Sequence, residues 1–129
     1  MKKYLLDTDT IIYFLRGKKK INIKNPNPSL SISLITYAEL LYGAYKSTNQ
    51  KKSIQTIKDF IKTFNIDILN LNQKIISIYS KTKANLDTTG QKIDDFDLFI
   101  ASTAIFYKLT IITNNLRHFS RIPNLQIHH

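Results

Sequence analysis

The 129-residue chain contains no cysteine, which excludes disulfides, thiolate metal ligands and a cysteine nucleophile and suits a reducing cytoplasm. It also has no apolar run near the roughly 18 residues needed to span a bilayer. At the N-terminus, Asp7 interrupts the apolar stretch too early for a secretory segment. Of the three prolines, Pro26 and Pro28 share one short polar loop, and no repeat, linker or low-complexity block divides the chain. The expectation is one soluble cytoplasmic domain over residues 1–129, with no membrane association. Acids are also scarce, nine against 19 Lys and Arg, for a formal net charge of +10. Such an excess favours a polyanionic partner, nucleic acid first and an acidic protein second, although a Lys-rich proteome would produce it as well.

What is present is a 43% apolar fraction, enough for one packed core. Residues 3–7 read as a buried first strand, and the Thr8-Asp9-Thr10 cap signal leads into a helix through Leu15. Gly17 and Lys18, Lys19 and Lys20 end it, and Asn25-Pro26-Asn27-Pro28-Ser29 is a loop. A strand at 31–33 precedes a helix to about Lys46, and residues 51–64 form an amphipathic helix carrying Ile54, Ile57, Phe60, Ile61 and Phe64 on one face. A brief strand is expected at 66–69, then a helix capped by Asn72 and carrying Ile75, Ile76, Tyr79 and Leu86, then a loop at 87–91. Asp94 or Asp95 caps the next helix, followed by a strand at 109–113, a polar turn at 114–119 and a strand fragment at 125–127. Short apolar strands alternating with helices predict an α/β fold: three α/β/α layers around a central, mostly parallel, twisted sheet. His128-His129 resembles the start of an expression tag and is set aside.

Six of the nine acids fall in three apolar blocks, around Asp7 and Asp9, around Glu39, and around Asp94, Asp95 and Asp97. A carboxylate near a core is costly unless it is paired, hydrogen-bonded or bound to a cation, and Lys and Arg are rare inside these blocks. A hard divalent ion, Mg²⁺ or Mn²⁺, would meet the need with carboxylate and water oxygens alone. In a doubly wound sheet, ligands gather beyond the carboxyl ends of the strands, where Asp7 and the helix starts near Glu39 and Asp97 are expected. Each acid also has a plainer reading. Asp9 suits an N-cap, Glu39 a solvated helix position, and Asp94 with Asp97 a capping pair. Taken together the three blocks favour a metal site.

The chain resembles the PIN-domain proteins of the VapC toxin family along its whole length. Leu5-Leu6-Asp7-Thr8-Asp9-Thr10 is similar to the family's Leu-Asp-Thr-Asn signature, and Glu39-Leu40-Leu41-Tyr42-Gly43 to its Glu-Leu-x-x-Gly motif. Asp97-Leu98-Phe99-Ile100-Ala101 resembles the Asp-Leu-x-Ile-Ala helix start, and Thr113-Asn114-Asn115 and Arg121-Ile122-Pro123-Asn124-Leu125 the C-terminal elements. The resemblance implies an endoribonuclease toxin that hydrolyses phosphodiesters of structured RNA such as tRNA with one or two Mg²⁺ or Mn²⁺. Its core acids are Asp7, Glu39 and Asp97; Asp7 and Asp97 hold the metal directly, and Glu39 does so directly or through water. Thr8, Asp9, Asp94, Asp95, Thr113 and Asn115 are accessory. Asp9 stands where Asn is usual and Asn115 where many relatives carry a fourth carboxylate. The resemblance further implies a homodimer and a VapB-type antitoxin that covers the cleft. Lys18, Lys19, Lys20, Lys46, Lys51, Lys52, Arg117 and Arg121 are candidates for RNA phosphates, against a solvated-surface reading for each.

Three other readings compete. A haloacid-dehalogenase-like phosphatase would use Asp7 and Asp9, with Lys92 and Asp94-Asp95, but Thr113 then falls in the reverse order and the chain is short. A receiver domain needs its Asp pair early, not late. A catalytically silent RNA- or protein-binding module shares the basic charge, yet has no use for three carboxylates in apolar blocks.

Overall fold

The computed structural model describes residues 2–21, 23–24 and 26–128; Asn25 of the expected loop and His129 of the tag-like pair lie outside them. The elements run β1 (Lys3–Leu6), α1 (Thr8–Leu15), β2 (Ser29–Ser33), α2 (Leu34–Lys46), α3 (Gln50–Thr63) and β3 (Asp67–Leu69). They continue as α4 (Gln73–Thr88), α5 (Asp95–Tyr107), β4 (Thr110–Ile112), α6 (Leu116–Phe119) and β5 (Gln126–His128). The five strands form one sheet in the order β3-β2-β1-β4-β5, and every pairing is parallel.

Strand alternation builds the layers. Tyr4 and Leu6 of β1 enter a core with Ile11, Leu40, Ile57 and Phe60, from α1, α2 and α3. Leu5, between them, enters the opposite core with Leu86, Leu98, Ala101 and Ile111, beneath α4 and α5. Period-two geometry sends neighbouring residues to opposite faces, so a strand buried on both sides is apolar at each of these positions. The expected α/β/α layering is therefore present, with a wholly parallel sheet.

The helix starts follow side-chain capping. Asn72 accepts from the Ile75 amide at 2.9 Å and opens α4; Asp94 accepts from the Phe96 amide at 3.2 Å and opens α5. Four expectations need correction. The first cap is Asp7, not Asp9, because α1 begins at Thr8 and the Asp7 carboxylate accepts from the Thr10 amide. The loop expected from Asp87 is helical through Thr88, and the polar turn contains α6. His128, set aside as tag-like, is the last residue of β5; it pairs with Ile112 and packs its ring against Tyr4.

The chain leaves β1 toward β2 and β3 on one side and returns to β4 and β5 on the other. The carboxyl ends of β1 and β4 thus flank the crevice where such sheets bind ligands.

Candidate functional site

Asp7 follows β1 directly and is only 3% exposed. One carboxylate oxygen accepts from the Thr10 amide at 2.9 Å. The other accepts from the hydroxyl of Thr113, the first residue past β4, so the two central strands meet at this carboxylate. Burial pushes its pKa up despite these two donors.

Glu39, in the second turn of α2, points back toward β1. Thr8 Oγ1 lies 2.6 Å from Glu39 Oε1 and 3.1 Å from Oγ1 of the buried Thr36. A hydroxyl has one proton, and the shorter bond to a carboxylate is the stronger use of it. Burial raises the Glu39 pKa, and the charges of Asp9, Asp94 and Asp7 add to it. Thr36 was not singled out in the sequence; its position three residues before Glu39, on the same helix face, was the available signal.

Asp97 sits in the first turn of α5. Its pKa is pushed up to about 6, by burial first and then by Asp94, Asp7, Glu39 and Asp9. The blocks read separately in the sequence thus lie within electrostatic range of one another. No cation relieves their repulsion: the ion pair among the described residues joins Lys83 and Asp95 at 2.8 Å.

The accessory candidates divide. Thr8 and Thr113 hold the core carboxylates, as above. Asp9 is exposed and Asp94 caps α5, and both add their charge to the cluster. Asp95 turns away, into Lys83 and the Tyr79 hydroxyl. Asn115 donates its backbone N–H to Thr113 Oγ1 at 2.8 Å, and its side-chain amide meets His118 Nδ1 at 2.9 Å. It braces the threonine that braces Asp7.

The basic candidates are not gathered at the site. Lys18, Lys19 and Lys20 follow the far end of α1, about 12 Å of helix from Asp7, and Lys19 lies over the Tyr13 ring. Lys46 ends α2 and stacks over Tyr42 at 5.2 Å, while Lys51 and Lys52 open the next helix. Arg121 donates to the Lys92 carbonyl at 3.1 Å. Arg117 is exposed on α6, just past β4, on the edge of the sheet that carries the acids.

A family model described as PIN domain matches residues 4–125. This chain belongs to the PIN-domain family. It is 38% identical over 128 residues to a Haemophilus influenzae protein named ribonuclease VapC1, covering 95% of this chain and 94% of the relative. It is 31% identical over 132 residues to the tRNA(fMet)-specific endonuclease VapC of Salmonella typhimurium, covering 98% and 97%. Among solved structures, VapBC2 from Rickettsia felis bound to a DNA fragment from its promoter superposes with a TM-score of 0.89 at 30% identity, covering 98% and 97%. Within the family, then, this PIN domain groups with the VapC-type proteins.

The acids of this PIN domain offer oxygen donors only. Among the described residues no three His, Asp or Glu side chains close into a ready ligand cluster. Mg²⁺ does not demand one, because it keeps several waters and is held through one or two carboxylates. Carboxylates with raised pKa values, of which Asp7 and Glu39 are fixed from behind by threonine hydroxyls, suit such a hydrated ion.

Proposed function

We propose that this PIN domain is the toxin of a VapC-type toxin–antitoxin pair and a Mg²⁺- or Mn²⁺-dependent endoribonuclease acting on structured RNA such as tRNA. The observation that carries the reading is that Asp7, at the carboxyl end of β1, lies within electrostatic range of Glu39 and Asp97, and none of the three is paired with a Lys or Arg among the described residues. A silent binding module has no reason to sustain the repulsion among them. Membership of the PIN-domain family removes the phosphatase alternative, and the names of the relatives support RNA as substrate.

Asp7 and Asp97 are the direct ligands in this reading. A divalent ion held by them would supply a Lewis acid for a phosphate oxygen and lower the pKa of water beside it. Asp7 cannot swing away, since Thr10 and Thr113 hold both of its oxygens. Glu39 has one oxygen fixed by Thr8, which leaves the other to accept a proton from the attacking water. Asn115 and Thr113 keep Asp7 oriented while charge builds up at phosphorus.

The partner would be a VapB-type antitoxin, supported by the VapBC neighbour. A groove of about 310 Å³ runs from Glu39 between α1, α2 and α3, lined by Ile12, Leu15, Leu40 and Gly43 among others. An amphipathic antitoxin segment laid there would bring a basic side chain to Glu39. A homodimer and a cytoplasmic location complete the proposal; no helix among the described residues is long and apolar enough to cross a membrane.

The test is incubation of the purified, antitoxin-free protein with total tRNA and Mg²⁺ or Mn²⁺. Discrete fragments are expected, absent with EDTA and with Asp7→Asn or Asp97→Asn. Intact tRNA with a demonstrably folded protein would overturn tRNA as the substrate, and cleavage that survives EDTA would overturn the metal.

A further inference from the structure

The α4–α5 connection forms a second concavity beside the acids, of about 570 Å³, within the size range of small-molecule sites. Its floor is apolar: Leu86 and Leu98 are 2% and 1% exposed, and Ile93 lies beside them. Its rim carries Asp87, Gln91, Lys92 and Asp94. The rim is held in place. Gly90 adopts φ +70°, the Gln91 amide donates to the Leu86 carbonyl at 2.9 Å, and Arg121 holds the Lys92 carbonyl at 3.1 Å. The side chains of Asp87, Gln91 and Lys92 nevertheless make no hydrogen bond or ion pair among the described residues. Lys83, also on the wall, is already paired with Asp95.

This lining selects its ligand. With Lys83 neutralised, the free charges are two carboxylates against one ammonium, so a phosphate is unwelcome. An aliphatic ligand would leave the rim unmet. A flat heteroaromatic ring meets both needs, with a face on the partly exposed Ile93 and the N–H groups of its edge on the carboxylates. Asp94 belongs to the pocket and also acts electrically on Asp97 and Glu39, and Leu98 is the residue after Asp97. The pocket therefore lies within electrostatic range of the acids that would hold the metal and the scissile phosphate.

We propose that this pocket takes the nucleobase flanking the cleaved phosphate and favours bases that carry an exocyclic amino group over uracil. Carboxylates accept from amino-bearing base edges, whereas the uracil edge presents two carbonyls and a single N–H. The inference rests on the RNA reading above and names its nucleotide preference.

The test follows backbone amide resonances of the full chain while GMP, CMP, AMP, UMP or inorganic phosphate is added. Amides of residues 90–93 are expected to shift with the three amino-bearing nucleotides, with UMP about tenfold weaker, the order of one lost base-edge contact. Asp87→Asn and Gln91→Ala should each bring the amino-bearing nucleotides down toward the UMP level while leaving the remaining spectrum unchanged. Equal shifts with all four nucleotides, shifts reproduced by inorganic phosphate, or a silent loop would overturn the proposal. Binding is read without cleavage, so the two readings fail separately. A protein that cuts RNA with a silent loop removes the pocket, and base-selective shifts in a protein that cuts no RNA remove the nuclease.

Discussion

Asp97 carries the most legible titration. Its folded pKa of about 6 stands above the ordinary 3.8, so between those values the folded state binds more protons than the unfolded chain. The contribution of this group to stability is therefore greatest below about pH 4 and falls as the pH rises to about 6. Asp7 and Glu39 are shifted upward too and act with the same sign. Asp95, lowered by Lys83, acts in the opposite sense but below the range of interest. Urea titrations of the metal-free protein should show a midpoint that declines between about pH 4 and about pH 6 and then levels off (a window set by Asp97). Asp97→Asn should flatten that decline and raise the neutral-pH midpoint, while tRNA cleavage is lost. A stabilised but inactive variant is what a site under self-repulsion predicts. Thr113→Val acts in reverse: removing a donor from the buried Asp7 should cost about 1–3 kcal/mol in the same titration, and Thr113→Ser should restore most of it.

At the scale of elements, α2 joins the site to the groove. Gly43 lies inside that helix, and no atom stands within 4 Å of where its Cβ would be. Glycine in a helix interior costs roughly 0.5–1 kcal/mol relative to alanine. Gly43→Ala should raise the denaturation midpoint by about that amount, and calorimetry with an antitoxin peptide should show weaker binding because the groove is narrowed. Much of this scale was legible in the sequence. The Asn72 cap, the amphipathic run of α3 and the apolar β1 follow from local chemistry, which left the α5 cap open between Asp94 and Asp95 until the structure gave it to Asp94. Two aspartates two residues apart, however, have the same capping chemistry. Only the end of β1, fixed by pairing with β4, gives the cap to Asp7. The reach from Thr8 to Glu39 spans 31 residues and left no local trace. Likewise, the sequence puts the lysines past the C-terminal end of α1 but does not show that the acids gather at the opposite end.

Over the whole molecule, the +10 charge and the acid cluster sit in tension. A basic exterior draws RNA in by counterion release, while the acids repel phosphate until a cation joins them. Arg117, on the acid edge, should matter more than Lys19, at the far end of α1. In salt titrations of RNA binding by an Asp97→Asn protein, Arg117→Ala should weaken affinity and lower the log–log salt slope by about one. Lys19→Ala should leave both nearly unchanged.

The bond from Thr113 to Asp7 links residues 106 positions apart. A chain still being synthesised has its first carboxylate almost at once, with one oxygen capped locally by the Thr10 amide, but the second oxygen has no donor until β4 has been made and has slotted beside β1. Function is therefore the last property the polypeptide acquires. In the toxin proposed above, the order of the strands would work as a delay: the clamp on Asp7 closes only after residue 113 has been added.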